Sequence, residues 1–423
     1  MRPVLRAIGV LAVFGSLLVA SGISKEEYRG RRQALRKAAS DGVVILFGAT
    51  EAETGNLRTG FFQESNFLYL TGWTEPNAIL VILPESAEPP REALFLPPRN
   101  LASEKWTGPK SDPEDRNLAD RIGFEHVEST KSVEDWLASR FQDNWKCYQL
   151  EGAPVSDALK HVLAKCEHAN AGPLLARLRM TKSPAEISLI RKSIDATIAA
   201  HRAAWRMTRP GLFEYQIAAA MGAVYFGLGC QRHAYAPIVG SGSNSTILHY
   251  TRNDRRVQAG DVVLMDVGAE CSGYAADITR TIPASSDFTR RQKEIYDVVL
   301  GAQKAVIAAV KPGMTLGRTT PNSLFKIAKE YLDTHGKDRN GKPLGEYLIH
   351  GIGHHVGLDV HDAWIPDSPL EEGMVITIEP GVYLPDEGFG IRIEDMVLVT
   401  KDGAELLSRA LPREWSEIRK LRR

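Results

Sequence analysis

The chain has 423 residues, 43% of them hydrophobic, and its lysines plus arginines equal its aspartates plus glutamates at 52 each. That length and apolar content suit two or three domains with substantial cores, and the zero formal charge gives no general attraction for nucleic acid. Four widely spaced cysteines, Cys147, Cys166, Cys230 and Cys271, form no Cys-x-x-Cys pair, which speaks against a zinc–thiolate site or a redox dithiol.

At the amino terminus, Arg2 and Arg6 precede an apolar run over residues 7–20, and Ala20-Ser21-Gly22 offers small residues for cleavage before Ile23. Residues 1–22 thus resemble a secretory signal peptide, and the expectation is an exported protein, periplasmic or secreted. The run is shorter than the roughly 20 apolar residues of a membrane span. Lys25, Arg29, Arg31 and Arg32 behind it leave a membrane anchor through residues 7–22 as the alternative. With no cysteine at the junction, lipoprotein attachment is not indicated, and no later stretch resembles a membrane helix.

Residues 25–37 are charged and predict a helix, and Val43-Val44-Ile45-Leu46-Phe47 and residues 78–83 predict strands. Helical patterns alternate with strands to about residue 170, giving an α/β amino-terminal domain over residues 23–172. Residues 174–182 read as a connection. Ser183-Pro184-Ala185-Glu186 then opens a long amphipathic helix to about Met207, with serine as cap and proline in its first turn. A second domain is expected over residues 173–423.

Within it, Val262-Val263-Leu264-Met265 runs into Asp266, and Val375-Ile376-Thr377-Ile378 runs into Glu379. An ionised acid carried into a core by a strand needs a partner, and a divalent cation lets several stay charged together. Two further acids lie in alternating stretches that predict strands, Asp277 at the start of residues 277–282 and Glu394 within residues 390–399. Period two puts Asp277 on the face of Thr279, and Glu394 on the face of Arg392. Both halves read as a strand, a glycine-containing turn and a second strand, each strand bearing an acid. Two such hairpins facing each other would converge four carboxylates, a donor set for two hard cations. For one acid, an ordinary salt bridge would be the better reading; four in two similar frames argue otherwise.

Between the pairs, residues 350–362 carry His350, His354, His355 and His361 among Gly351, Gly353 and Gly357. The glycines disfavour a helix and favour a loop that approaches a ligand closely. Cys271, near Asp266, reads as a small buried residue.

Five motifs recur in one order: Leu264-Met265-Asp266-Val267-Gly268; Ala276-Asp277-Ile278-Thr279-Arg280-Thr281; the histidine loop; Thr377-Ile378-Glu379-Pro380-Gly381; and Ile391-Arg392-Ile393-Glu394-Asp395. In these motifs the sequence resembles the metal-dependent aminopeptidase P and prolidase family. Ile238-Val239-Gly240-Ser241-Gly242, with Asn244 and Leu248-His249-Tyr250, resembles the family's substrate-side histidine segment. Residues 62–72, residues 94–99 and Trp106-Thr107-Gly108 resemble its amino-terminal domain, which favours aminopeptidase P over methionine aminopeptidase.

The resemblance implies an α+β protein, with a pita-bread catalytic domain behind an α/β amino-terminal domain. It implies a dinuclear site with Asp266, Asp277, His354, Glu379 and Glu394 as ligands, and Glu379 also shuttling a proton. His361 would hydrogen-bond the developing oxyanion, worth roughly 2.7–4 kcal/mol, and His249 and His350 would line the substrate side. Arg392 would orient a ligand carboxylate, with Tyr383 beside it. Two cations roughly 3.5–4 Å apart can hold a bridging water as hydroxide and polarise a carbonyl. Mostly hard oxygen donors suit manganese, with zinc or cobalt able to take similar ligands.

The expected function is release of an amino-terminal residue preceding proline, the substrate being a proline-containing peptide. An Xaa-Pro dipeptidase is the alternative, and a metal-free peptide-binding module the alternative from another class. A creatinase-like hydrolase lacks these ligands, and His-Glu-x-x-His and Gly-x-Ser-x-Gly are absent. Relatives are often dimers or tetramers, so a homo-oligomer is expected as well.

Overall fold

The computed structural model describes residues 22–51, 60–153 and 159–422. The leader expected over residues 1–22 lies outside the described residues except for Gly22.

Six strands build the first sheet: β1 (Gly42–Phe47), β2 (Ile79–Ile82), β3 (Glu92–Leu96), β4 (His126–Ser129), β5 (Lys146–Gln149) and β6 (Glu167–Asn170), in the order β4-β3-β2-β1-β5-β6. Alternation splits their side chains between two cores. Val43, Ile45, Val81, Ala93 and Phe95 pack outward with Trp136 and Leu137. Val44, Leu46, Leu80, Ile82, Leu94 and Leu96 face inward and join the core of the second half of the chain. The inner face is covered by α1 (Lys25–Ala38), capped by Ser24, and α2 (Ser65–Thr71).

Residues 174–182, read as a connection, are mostly helix: α3 spans Gly172–Met180. Leu175, Ala176, Arg179 and Met180 are buried along it, a helical spacing that the short segment and its opening Gly-Pro obscure. The next helix, α4 (Pro184–Met207), starts as expected, with Ser183 and Glu186 completing a capping box. Behind it come α5 (Glu214–Gly227), α6 (Arg290–Ala309) and α7 (Leu324–His335).

The strands of the second half are β7 (Arg232–His233), β8 (Ile238–Ser241), β9 (Val262–Val267), β10 (Ala269–Cys271), β11 (Tyr274–Ala275) and β12 (Ile278–Pro283), followed by β13 (Val375–Ile378), β14 (Gly381–Leu384), β15 (Phe389–Arg392), β16 (Asp395–Val399) and β17 (Ala404–Leu406). Two long hairpins are each broken in the middle. In the first, β9 pairs with β12 and β10 with β11; in the second, β13 pairs with β16 and β14 with β15, all antiparallel. The simple strand-turn-strand units expected from sequence are therefore interrupted. Residues 390–399 form two strands rather than one, parted at Ile393-Glu394, and Asp277 lies just before β12. At the first break, a Cβ on Gly268 would lie 1.7 Å from the Ala276 carbonyl oxygen, so only glycine allows the strands to close there.

All four cysteines are paired, Cys147 with Cys166 and Cys230 with Cys271. The reading of Cys271 as a small buried residue holds for its burial but missed its bond. Its partner lies 41 positions away and is brought close by the pairing of β7 with β10.

Candidate metal centre

The breaks in the hairpins set the acids. Asp266 is the penultimate residue of β9, Asp277 precedes β12, Glu379 lies between β13 and β14, and Glu394 between β15 and β16. Backbone groups released from the ladder find partners across the site. Glu394 N–H donates to the Thr279 carbonyl, and Glu379 N–H donates to the Ile352 carbonyl.

The histidine loop runs along the edge of β13, as a loop and not a helix. His355 bridges to Ile376, Thr377 N–H donates to the His354 carbonyl, and His354 N–H donates to Thr377 Oγ1. A Cβ on Gly353 would lie 2.0 Å from the Thr377 carbonyl oxygen, so glycine permits this approach. His350, His354 and His361 line the cavity. His355 does not: it is buried behind the loop, where burial and Lys182 push its pKa down to about 3.

Asp266, Asp277, His354, Glu379 and Glu394 all line one cavity of about 560 Å³, together with His249, His350, His361 and Arg392. His354 Nε2 lies 3.4 Å from Asp277 Oδ2 and 3.6 Å from Glu379 Oε1. One donor atom each from Asp277, His354 and Glu394 fall within 4.8 Å of one another. His354 and His361 meet edge to face, with ring centroids 4.3 Å apart. His249 lines the wall without a hydrogen-bond partner among the described residues.

Arg392 is buried and serves Asp266. Its Nη2 lies 2.5 Å from Asp266 Oδ2, and its Nη1 lies 2.7 Å from the Tyr383 hydroxyl, which also meets His350 Nε2 at 2.7 Å. Its link to Glu394 is indirect: Thr279 Oγ1 donates to Glu394 Oε2 at 2.6 Å and accepts from Arg392 Nε at 3.3 Å.

The sequence reading missed Tyr235, whose hydroxyl lies 2.5 Å from both Asp266 Oδ1 and Asp277 Oδ1. No motif surrounds it, and it arrives by β7 pairing with β10. A phenol carries one proton, so it can donate to only one of two carboxylates. The charges agree. Burial works to raise Asp266, but Arg392 and the Tyr235 hydrogen bond outweigh it and hold that carboxyl below its ordinary range. Asp277 is pushed well above that range by burial and the nearby Asp266, and Glu394 by burial and by Asp277, Glu379 and Asp266. The two carboxyls that share the Tyr235 hydroxyl are thus pushed in opposite directions.

Four carboxylates thus face one guanidinium, a surplus of negative charge that a bound cation would relieve. The donors are carboxylate oxygens and one imidazole, a set that fits a divalent metal.

A model of metallopeptidase family M24 matches residues 188–401, and a model of the aminopeptidase P amino-terminal domain matches residues 28–148. The chain is 32% identical to the Xaa-Pro aminopeptidase of Escherichia coli strain K12, with 95% of this chain and 98% of the relative covered. The chain belongs to metallopeptidase family M24. It is equally 32% identical to human Xaa-Pro aminopeptidase 3, over 95% of this chain and 87% of that one. The solved structure of E. coli aminopeptidase P with the inhibitor Pro-Leu superposes with a TM-score of 0.82 at 31% identity, covering 95% and 98% of the two chains. The M24 half has the α+β pita-bread fold, behind an α/β amino-terminal domain.

Proposed function

We propose that this M24 enzyme hydrolyses the bond between an amino-terminal residue and a following proline. The observation that carries the reading is the convergence of Asp266, Asp277, His354, Glu379 and Glu394 in one cavity also lined by His249, His350 and His361. It is supported by the Xaa-Pro aminopeptidases that the chain matches over nearly its whole length. A cavity of this size suits a short stretch of peptide. The Xaa-Pro bond is a tertiary amide, so the site must accept a ring where other peptides offer an N–H.

Asp266, Asp277, His354, Glu379 and Glu394 would hold two divalent ions, with manganese favoured by the oxygen-rich set over zinc or cobalt. When bound, the ions supply an attacking water of lowered pKa and polarise the scissile carbonyl. Glu379 is the least enclosed of the four acids. It takes the water's proton and returns it to the proline nitrogen as the bond breaks. His361 donates to the developing oxyanion, and His249 and His350 hold the substrate. Arg392 and Tyr235 fix Asp266 by occupying both of its oxygens.

The test compares Xaa-Pro-Yaa, Xaa-Ala-Yaa and Xaa-Pro as substrates, with manganese and after chelation. Release of free Xaa chiefly from Xaa-Pro-Yaa, lost on chelation and restored by manganese, is expected. Equal turnover of the alanine peptide would exclude proline specificity, and turnover of Xaa-Pro alone would identify a dipeptidase.

We also propose export, on the strength of the basic-then-apolar leader at residues 1–22 and of two disulfides, which persist in oxidising compartments. The domain boundary near residue 172 and a dimer or tetramer are proposed with it. Among the described residues no helix is long and apolar enough to cross a membrane.

A further inference from the structure

The histidine loop is held at two places of different kinds. Its first part is part of the sheet: the Ile352 carbonyl accepts from Glu379 N–H, His355 bridges to Ile376, and Val356 N–H donates to the Val375 carbonyl at 3.0 Å. After Val356 the loop leaves β13. His361 lies beyond that point, and its ring makes no hydrogen bond among the described residues, only the edge-to-face contact with His354. Its placement must come from its neighbours along the chain.

Asp362, the next residue, is 4% exposed and anchored through its N–H and both carboxylate oxygens. Its N–H donates to the His355 carbonyl at 2.9 Å. One carboxylate oxygen accepts from Arg179, the other from Lys182 Nζ at 2.9 Å. Arg179 and Lys182 are themselves buried, at 3% and 4% exposed, and belong to the junction between α3 and α4 that joins the two halves of the chain. Arg179 also donates to Asp359 Oδ2 at 2.7 Å and to Asn66 Oδ1 at 2.8 Å, and Ser65 Oγ donates to Asp359 Oδ1 at 2.7 Å. Asp359 and Asp362 thus flank His361 and are tied to α2 and the junction. A Cβ on Gly357 would lie 2.3 Å from Asp362 Oδ2, so the loop folds tightly over the carboxylate.

Burying two cations and a carboxylate is unfavourable unless each is paired, and here the pairing is complete at Asp362. The expense falls on the part of the loop that bears His361, while His354 is held independently by β13. Resting on the role given above to His361, we propose that Arg179, Lys182 and Asp362 are positioning residues. They hold His361 over the scissile carbonyl and thereby make turnover depend on the junction and on α2 of the same chain.

The role predicts a loss of turnover without a loss of metal. Asp362→Asn and Lys182→Met are made in the native chain and again in His361→Ala, with bound manganese, thermal melting and kcat on Xaa-Pro-Yaa measured for each. Each substitution should lower kcat about tenfold or more, since displacement of about 1 Å can cost a hundredfold. Metal stoichiometry should stay that of the native enzyme. In the His361→Ala background each should lower kcat by less than about twofold, because residues acting through one another are not additive. If the buried substitutions prevent folding, Asp359→Asn gives the same comparison at the half-exposed partner of Arg179. Equal losses in both backgrounds, or loss of metal in step with turnover, would overturn the positioning role alone. Unchanged turnover in His361→Ala would overturn the catalytic role of His361 and the positioning role with it.

Discussion

Tyr235 bridges two of the acids that line the cavity. Its hydroxyl links Asp266, held below the ordinary carboxyl range, to Asp277, which burial and the nearby Asp266 push above it. The phenol holds the two carboxyl groups at a fixed separation. Tyr235→Phe keeps the ring and deletes that link. It should weaken metal binding about 10- to 100-fold, the range for partners of ligating groups, with activity recovered at high manganese. Titration of activity against free manganese checks this, and an unshifted midpoint would show that the acids hold their places without the phenol. Thr279 and Thr377 act comparably on Glu394 and Glu379 through hydroxyls at 2.6 and 3.3 Å. Thr279 was visible in the sequence as a face-mate of Asp277. Thr377 stands in the mirrored place, two residues before Glu379, and was readable by the same period-two rule.

Among the elements, α4 supports the site from beneath. Its His201 is fully buried and donates Nε2–H to the Ile278 carbonyl, at the first residue of β12, over 3.0 Å. Burial and then the nearby Arg280 push its pKa down to about 3 from an ordinary 6.5. A neutral ring in the folded state and a protonated one in the unfolded state give the sign. The contribution is complete above pH 6.5 and is eroded as pH falls from 6.5 towards 3, by about 1.4 kcal/mol per pH unit. His201→Gln can still donate to Ile278 and does not titrate. Its urea midpoint should therefore fall less steeply than the native one between pH 6.5 and 4, and parallel curves would exclude His201 as the source. The elements show where local reading succeeds. The start of α4 was legible because Ser183, Pro184 and Glu186 are neighbours. The breaks at Glu379-Pro380 and Ile393-Glu394 were not, because residues 390–399 read as one continuous strand, and only pairing of β13 with β16 and of β14 with β15 divides them.

At the scale of the molecule, the two halves share one apolar core through the inner face of the first sheet, and two disulfides tie segments distant in sequence. Each bridge should contribute about 2–4 kcal/mol by restricting the unfolded chain. Melting in a strong reductant, with thiols counted by mass spectrometry, should show a lowered midpoint once both bridges are open, and an unchanged midpoint would mean they contribute no stability.

The sequence by itself determined which residues are candidates for the chemistry. Strand-borne acids, a glycine-rich histidine loop and a capped helix are patterns written within a few residues, so Asp266, Asp277, His354, Glu379 and Glu394, which line one cavity, could be named as candidates before any fold was known. Tertiary structure alone decided which partner holds which acid. Tyr235 meets Asp277 across 42 positions, Arg392 meets Asp266 across 126 and Arg179 meets Asp362 across 183. The turning of His355 away from the cavity and the choice of cysteine partners are of the same kind. Such contacts follow from sheet register and from the packing of one half against the other, and no local period encodes either.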